Sequence, residues 1–489
     1  MSLLSSTNRN TSRTGIFLVA GALLLFVAAF NFALLKERND LLLPLLLSVP
    51  ALALAYVYLF HFRAVLPLLL VAVPCSVTLT SAGGFAIDMP SELLIGITAL
   101  VFSLLLLRKN QLPKNFLRHP LTILLALEIV WMIICSTTSH FPEVSLKRCV
   151  VRIAFLVVFY LLAGKWFSDP AKQPLLFVLY GAGCIFPSVY TLVQHAHFNF
   201  RVDAAYAMCR PFFADHTIFG AVLAFVIPGL LLLLFNRRLL GLNRSANWLI
   251  VLALLTTLAA EIFSFSRAAW MSLVIALVFY FLIRLRMRLW MLLTLLSVMT
   301  ISVSLLSNRI IDSIRRNEAV SNKGSVAEHL QSVTNIQSDA SNLERVNRWA
   351  AAIRMAQDRP FTGFGPGTYQ FEYGRYQVHT FLTRISTFNG NRGHAHSEFF
   401  TALSETGFPG LLLFTAIMFT VIGYGLKVIY RSADRRQRVV AIAALLGLIT
   451  FYVHGFFNAF LDTDKMAALV FGAIALLVSI DLKQKSIES

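Results

Sequence analysis

Charged residues are scarce in this chain of 489 residues. Lysine, arginine, aspartate and glutamate make up 13% of it, hydrophobic residues make up 57%, and the mean hydropathy is +0.72. Soluble domains carry about 25% charged residues. Apolar runs of about 20 residues, long enough to cross a bilayer as helix, recur along most of the sequence. Because these runs are continuously apolar rather than alternating, we expect an all-α polytopic membrane protein.

The few cysteines lack the spacing of a metal site or a disulfide framework. None forms a C-x-x-C pair, and the five are Cys75, Cys135, Cys149, Cys184 and Cys209. Acidic residues are also few, 24 against 42 basic residues, which gives a formal net charge of +18. The basic residues form short clusters between apolar runs, and no basic soluble domain is present to hold nucleic acid. We therefore expect membrane lipid as a partner, no nucleic acid and no cofactor.

Fourteen apolar stretches are candidate spans, and we expect 12 to 14 transmembrane helices. The stretches lie near 15–35, 41–60, 64–80, 91–107, 120–137, 149–163, 174–194, 212–235, 247–263, 267–283, 289–307, 408–426, 439–459 and 465–481. Alternate connections are rich in base, such as those beginning at Arg108, Arg237 and Lys427. The positive-inside bias places both termini in the cytoplasm. The first span is long enough to remain in the membrane, so we expect no cleaved signal peptide.

One long polar excursion interrupts the apolar pattern. It divides the chain into an N-terminal helix bundle at 1–307, a loop at 308–396 and C-terminal helices at 397–489. Because the loop follows the eleventh span, we expect it on the non-cytoplasmic side. Residues 343–360 have the apolar spacing of an amphipathic helix lying at the interface, and a glycine-rich turn follows at 361–370. Loops of this length are usually functional or disordered, so the functional face is expected here.

Three polar groups fall on that same predicted face. Arg267 lies in the segment "FSFSRAAW" and Arg210, with Asp215 and His216, in "AMCRPFFADHTIFG". The third group is "GHAHSEFFTALSETGFPG" at 393–410, which carries His394, His396, Glu405, Gly407 and Gly410. Arginine binds phosphate oxygens bidentately, and histidine accepts a hydroxyl proton near neutral pH. Together they suit attack of an alcohol on a substrate with a phosphate or pyrophosphate leaving group, and such chemistry requires no metal.

Each of these residues also has a structural interpretation. An arginine at the end of a span is often an interfacial anchor. His394 and His396 could be solvated or could bind a metal, although residues i and i+2 of a helix point apart. Glu405 is more consistent with a helix-end or packing contact than with a direct partner of the histidine. Ionisable residues inside spans are candidate functional residues by default. Here they include His454, Glu261 and Glu128. Glu261 could pair with Arg267, whereas the sequence does not explain Glu128.

Four segments between residues 207 and 410 resemble, in matching order, one family of bacterial membrane glycosyltransferases. His396 and Ser397, an aromatic at Phe400 and then Glu405-x-Gly407-x-x-Gly410 resemble the signature of the O-antigen ligase and Wzy-type polymerase superfamily. The segments "SFSRAAW" (264–270), "RWAAAIRMAQDRPFTGFGPGTY" (348–369) and "RPFFADHTIFGA" (210–221) resemble three further motifs of that family.

The resemblance implies a metal-independent, inverting glycosyltransferase with a GT-C-like helical fold. Its donor would be a glycan on undecaprenyl pyrophosphate at the periplasmic face of the bacterial inner membrane. Its acceptor would be lipid A–core in a ligase, or a second lipid-linked glycan in a polymerase. By motif position, His396 would be the general base and Arg267 would act with Arg210, Arg345 or Arg348 on the pyrophosphate. His394, Glu405, Gly407 and Gly410 would have supporting roles.

Two kinds of alternative remain. Within the family, we favour a ligase; the alternatives, which the shared motif does not separate from it, are a polymerase of O-antigen or exopolysaccharide and a protein O-oligosaccharyltransferase. Outside it, the chain could be a flippase or secondary transporter, which would place its polar sites at the membrane midplane on repeated halves. No internal repeat is evident, and the polar residues cluster at one face, so we favour the enzyme.

Overall fold

The computed structural model describes residues 53–80, 86–108, 112–286, 340–382 and 393–488, and the single positions 291, 294 and 386. The described residues divide into two units, a small one that ends at Val65 and a larger one that begins at Leu66. The described α-helices are α1 Ala53–Phe60, α2 Val65–Ala72, α3 Ser91–Arg108, α4 Lys114–Leu117, α5 Pro120–Thr137, α6 Pro142–Phe155, α7 Ala163–Phe167, α8 Leu175–Ala196, α9 Ala205–Met208, α10 His216–Phe235, α11 Arg237–Leu240, α12 Arg244–Phe263, α13 Arg267–Arg284, α14 Ala340–Asp358, α15 Tyr369–Glu372, α16 Glu398–Arg431, α17 Arg435–Gly455 and α18 Asp464–Glu488.

The remaining elements are short. A π-helical segment, Leu156–Leu162, joins α6 to α7. The 3-10 turns are Phe62–Ala64, Val73–Cys75, Pro170–Lys172, Val202–Ala204, Tyr373–Tyr376 and His379–Phe381. Two strands, β1 Val77–Thr80 and β2 Ala86–Met89, pair antiparallel with Val77 opposite Met89.

Nine helices of the described residues are long and apolar enough to cross a membrane. They are Ser91–Arg108, Pro120–Thr137, Pro170–Ala196, His216–Phe235, Arg244–Phe263, Arg267–Arg284, Glu398–Arg431, Arg435–Gly455 and Asp464–Lys485. Each corresponds to one of the fourteen predicted spans, and the all-α polytopic fold is confirmed. The predicted span 15–35 lies outside the described residues, as do most of 41–60 and all of 289–307 except the single positions 291 and 294.

One predicted span is wrong in its second half. The stretch 64–80 continues as helix only to Ala72, after which Pro74 sits in a 3-10 turn and the chain enters β1. The run "VTLT" alternates and is rich in β-branched residues, which favour a strand over a helix. The Thr78 N–H donates to the carbonyl of Pro211 at 3.1 Å, so the hairpin packs beside the Arg210 segment.

The predicted span 149–163 is helical, but it lies within one long helical run. That run extends from Pro142 to Phe167 through α6, the π-helical segment and α7. It carries the buried Arg152 in its first half. A charged side chain inside such a helix requires a counter-charge. For Arg152 this is supplied by the carboxylates of Asp462 and Glu128.

Helices α10, α17 and α18 form the centre of the larger unit. In the most apolar 18-residue stretch of each of these helices, 78%, 89% and 94% of the residues are buried inside the protein. The corresponding share is 22–33% for α3, α5, α12 and α13. The end of α17 that carries His454 is buried, whereas His216 at the start of α10 is half-buried.

The polar excursion folds onto the start of α16. The predicted helix at 343–360 is α14, and its apolar face packs against Phe364, Tyr369, Tyr373 and Ala395 rather than standing alone. Residues 308–339 of the predicted loop lie outside the described residues, and the division of the chain at 307 and 396 remains a prediction.

Glycines allow the turn after α14 to approach α16 closely. Gly363, Gly365 and Gly367 all have positive φ, and the N–H groups of Phe364 and Gly365 donate to the carbonyls of Ser404 and Glu405 at 3.1 and 2.8 Å. On the other side of the contact, Gly407 breaks α16 with φ 70° and ψ −172°, a conformation that is essentially restricted to glycine. A Cβ atom at Gly407 would lie 2.1 Å from the carbonyl oxygen of Phe361.

We predict that Gly407→Ala lowers the free energy of unfolding by about 1–3 kcal/mol, because the backbone conformation is strained for alanine and the neighbouring atom is main chain. The thermal midpoint of the purified protein in detergent measures this. Gly96→Ala is the matched control, since a Cβ at Gly96 in α3 meets nothing within 4 Å. Equal midpoints for the two variants would contradict the prediction.

Candidate active site

His396 is held by its main chain at the entry to α16. Its φ is 49°, which is unusual for a residue other than glycine. Its N–H donates to Nδ1 of His394 at 3.1 Å, and its carbonyl accepts from the indole N–H of Trp349 at 3.3 Å. Ser397 caps α16 by accepting from the N–H of Phe400. These bonds fix the direction of the His396 side chain without using either ring nitrogen.

The two histidines of this segment are neutral near pH 7. Desolvation lowers the pKa of His394 to about 4, and the nearby Arg348 guanidinium adds to the effect. Desolvation also lowers the pKa of His396 well below its ordinary value, with further contributions from His394, Arg348 and Arg345. A neutral imidazole keeps one nitrogen lone pair, so His396 can accept a proton at physiological pH.

Arg348 is committed to contacts within the protein. Its Nε donates to Glu344 at 2.8 Å, its Nη1 donates to the carbonyl of His394 at 3.1 Å, and its guanidinium lies 4.8 Å from the ring centroid of Tyr373. A Cβ at Gly393 would fall 2.0 Å from Nη1. Arg348 therefore fastens the His394–His396 segment to α14.

Arg345, one turn before Arg348, lies within electrostatic range of four histidines. They are His394, His396, His216 and His454. The positive charge of Arg267, at the start of α13, interacts electrostatically with His216. The negative charge of Asp215 interacts in the same way with His216, His394 and His454. The structure thus brings together side chains from α14, from the starts of α10 and α13, from the end of α17 and from the segment before α16.

Arg210 is placed at the edge of this group. Its Nε donates to the carbonyl of Ala214 at 3.0 Å, and its guanidinium lies 5.4 Å from the ring centroid of Tyr206. The Tyr206 ring in turn contacts that of His216, with centroids 5.7 Å apart. One aromatic ring therefore separates Arg210 from the polar cluster.

The comparison with protein families covers most of these residues. Residues 252–415 match the family model described as O-antigen ligase. This stretch is similar to O-antigen ligases. It contains Arg267, Arg345, Arg348, His394, His396, Glu405, Gly407 and Gly410, whereas Arg210 precedes it, and it confirms the resemblance seen in the sequence. No curated protein matches the chain. Family members are membrane glycosyltransferase-like enzymes that act on lipid-linked glycans.

Glu405, within the matched residues, binds main chain rather than a histidine. Its carboxylate accepts from the N–H groups of Gly367 and Tyr369 at 2.7 and 3.1 Å. Gly410, one turn further along α16, lines a cavity of about 50 Å³ beside it. Glu405 therefore ties the glycine turn of the excursion to α16, and that turn carries the aromatic residues on which α14 packs.

The suggested pair between Glu261 and Arg267 is absent. Neither carboxylate oxygen of Glu261 has a hydrogen-bond partner among the described residues. The main-chain carbonyl of Glu261 instead accepts from the indole N–H of Trp270 at 2.9 Å. Glu261 is the acidic residue of α12 and lies two residues before the end of that helix. Within the described residues, no group of three or more histidine, cysteine or acidic side chains is arranged to hold a metal.

The turn between α17 and α18, residues 456–463, contributes groups that the sequence analysis missed. The Oδ1 atom of Asn458 lies 3.5 Å from Nδ1 of His396. Glu398 accepts from the N–H groups of Phe460 and Leu461 at 2.6 and 2.7 Å. Two signals could have found this turn: it lies on the same predicted face as His396, and it contains the polar residues Asn458 and Asp462.

Asp462 in this turn binds the two arginines of α6. Arg148 contacts it at 2.7 Å, and the Arg152 Nε donates to it at 3.2 Å. Arg152 also contacts Glu128 at 3.3 Å, which gives that carboxylate the partner that the sequence did not reveal. Burial opposes ionisation of Asp462, but the Arg148 and Arg152 guanidiniums outweigh it and lower the pKa of Asp462 to about 2.

We predict that Asp462→Asn destabilises the protein at pH 7 by about 2 kcal/mol or more, because it leaves a buried arginine without its main counter-charge. Since the folded-state pKa is depressed, this contribution is present above the ordinary aspartate pKa and is lost as the pH falls toward 2. Thermal midpoints at pH 7 and pH 3 should therefore show a smaller difference at the lower pH.

The control for Asp462→Asn is Asp169→Asn. Asp169 contacts Lys172 at 3.2 Å, but both side chains are exposed. Exposed pairs contribute little, so this variant should unfold like the parent at both pH values. If the Asp462→Asn and Asp169→Asn proteins were equally stable at pH 7, the contacts of Asp462 with Arg148 and Arg152 would not be needed for the fold.

Proposed function

We propose that this protein is an O-antigen ligase-type glycosyltransferase of the bacterial inner membrane. It transfers a glycan from undecaprenyl pyrophosphate to a sugar hydroxyl of lipid A–core, at the periplasmic face. The observation that carries the proposal is a desolvated, neutral His396 on the same cluster as Arg345, inside a domain matched to O-antigen ligases. The membrane helices supply the surface on which both lipid substrates meet.

In the proposed reaction, His396 is the general base. The acceptor hydroxyl oxygen attacks the anomeric carbon from the side opposite the pyrophosphate, and its proton passes to His396. A new carbon–oxygen bond forms as the bond from the anomeric carbon to the phosphate oxygen breaks, so the configuration inverts. The pyrophosphate leaves with the bonding electrons and carries the developing negative charge. A general base of this kind contributes typically about 10²–10⁴-fold to rate.

Arg345 and Arg267 are the proposed partners of the departing pyrophosphate. Both act electrostatically on the histidine cluster, so an anion bound there would lie near both positive charges. Arg348 has its guanidinium engaged by Glu344 and the His394 carbonyl, which favours a positioning role. Arg210, which the Tyr206 ring separates from the cluster, is the proposed extension of the anion site toward α10. Charge stabilisation by arginines needs no metal ion in this mechanism.

The decisive experiment is a reconstitution with purified protein, undecaprenyl-pyrophosphate-linked glycan and lipid A–core in liposomes containing EDTA. Transfer of the glycan to lipid A–core supports the ligase. A ladder of longer lipid-linked chains with lipid A–core unchanged would replace the ligase by a polymerase of the same family. Transfer that disappears with EDTA and returns with added Mg²⁺ would contradict the metal-independent mechanism.

We predict that His396→Ala reduces the transfer rate by at least about 100-fold, because the acceptor hydroxyl loses its base. Initial rates in the reconstituted assay measure the effect, and elution from size-exclusion chromatography confirms that the variant is folded. His197→Ala, which removes an exposed histidine after α8, is the matched control and should transfer at the parent rate. Near-parent transfer by His396→Ala would end the assignment of His396 as the base.

A further inference from the structure

The turn between α17 and α18 is fastened on both sides of Asn458. Before it, the N–H groups of Phe457 and Asn458 donate to the carbonyl of His454 at 2.9 and 3.1 Å, which continues the end of α17. After it, Glu398 accepts from two consecutive N–H groups, and Asp462 is bound by two arginines of α6. Asn458 is 2% exposed. Its side chain is therefore presented from a rigid turn and not from a mobile loop.

The side-chain amide of Asn458 lies next to the Nδ1 atom of the His396 ring. Its Oδ1 lies 3.5 Å from Nδ1 of His396, while its Nδ2 has no hydrogen-bond partner among the described residues. An amide oxygen can only accept, so this contact requires a proton on Nδ1. The lone pair of the neutral ring then resides on Nε2. The distance is long for a hydrogen bond, as is common for catalytic contacts before the substrate binds.

The other groups around His396 do not select the tautomer. His394 receives the main-chain N–H of His396, and Trp349 donates to its carbonyl, so neither is bonded to a ring nitrogen of His396. Arg345 and Arg348 on α14 are cations and act on His396 through their charge. Among the described residues, Asn458 is thus the side chain that lies within hydrogen-bonding distance of a ring nitrogen of His396.

We propose that Asn458 is a positioning residue that holds the proton of His396 on Nδ1, so that Nε2 is the atom that accepts the proton of the acceptor hydroxyl. This inference rests on the proposed function for the identity of the base, but the contact itself does not. Asn458 lies beyond the residues matched to the O-antigen ligase family, so the family model does not assign it. The role resembles that of the third member of a catalytic triad, which fixes a histidine tautomer without reacting itself.

The first test replaces the amide by a carboxylate, Asn458→Asp. A carboxylate also only accepts, so the tautomer is kept, but its negative charge stabilises the imidazolium and raises the pKa of His396. An opposite charge at this distance shifts a pKa by about 1–3 units. Carbethoxylation by diethyl pyrocarbonate, followed at His396 by peptide mass spectrometry between pH 4 and 9, reports the neutral fraction and needs no transfer activity. The midpoint should move to higher pH by about one unit or more.

Asn243→Asp is the matched control for this substitution. Asn243 caps the N-terminal end of α12, where its side chain accepts a hydrogen bond from the N–H of Ala246 at 2.8 Å. Aspartate caps a helix N-terminus equally well. The His396 midpoint in this variant should equal that of the parent. If the midpoint in Asn458→Asp also equals that of the parent, the proposed contact is absent and the inference is overturned.

The second test removes the acceptor, Asn458→Leu. Without it, Nδ1 and Nε2 compete for the proton, and we expect the transfer rate at pH 7.5 to fall about tenfold or more, with the His396 midpoint unchanged or lower. A folded Asn458→Leu protein that transfers at the parent rate overturns the positioning role. The two proposals fail separately: a shifted midpoint in Asn458→Asp together with full transfer by His396→Ala keeps the contact and rejects the general base.

Discussion

The architecture of the candidate site depends on the first turns of α16 and on two buried carboxylates there. Glu398 and Glu405 are seven residues apart, about two helical turns, so they lie on one face of the helix. Each accepts two main-chain N–H groups, Glu398 from the α17–α18 turn and Glu405 from the glycine turn after α14. Hydrogen bonds from N–H groups to an ionised carboxylate are shorter and stronger than those between neutral groups. Two loops distant in sequence are thereby fixed to the helix that begins directly after His396.

Burial is also the condition for the chemistry. A histidine in water would be partly protonated near pH 6.5 and would compete poorly for a hydroxyl proton at lower pH. In this structure, desolvation and the neighbouring arginines keep the imidazoles of His394 and His396 neutral. The same arginines that depress the pKa values would attract a phosphate anion. In the proposed mechanism, binding of that anion would offset part of the positive charge and would thereby raise the basicity of His396.

Much of the fold and part of the site could be predicted from the sequence, and the reasons are local. Helices such as Arg435–Gly455 are continuous apolar runs, and His396, Glu405 and Gly407 stand in one short segment with a recognisable spacing. The hairpin at Val77 was missed because an apolar run of a few residues suits a strand as well as a span. Asn458 and Asp462 were missed because their partners lie 62 and more than 300 residues away. Such pairing depends on how helices pack, which no periodicity reveals.

Arg345 and Arg348 show how neighbouring residues of the same type can take different tasks. They are three residues apart on α14, so both face the same general direction. Arg348 has a carboxylate on one side and the His394 carbonyl on another, and an arginine so engaged would have to break charge-assisted bonds to bind a substrate anion. Arg345 instead influences histidines from α10, α17 and the segment before α16. Motif position alone treats the two as equivalent, whereas the contacts of Arg348 with Glu344 and the His394 carbonyl favour a role in the scaffold for that arginine.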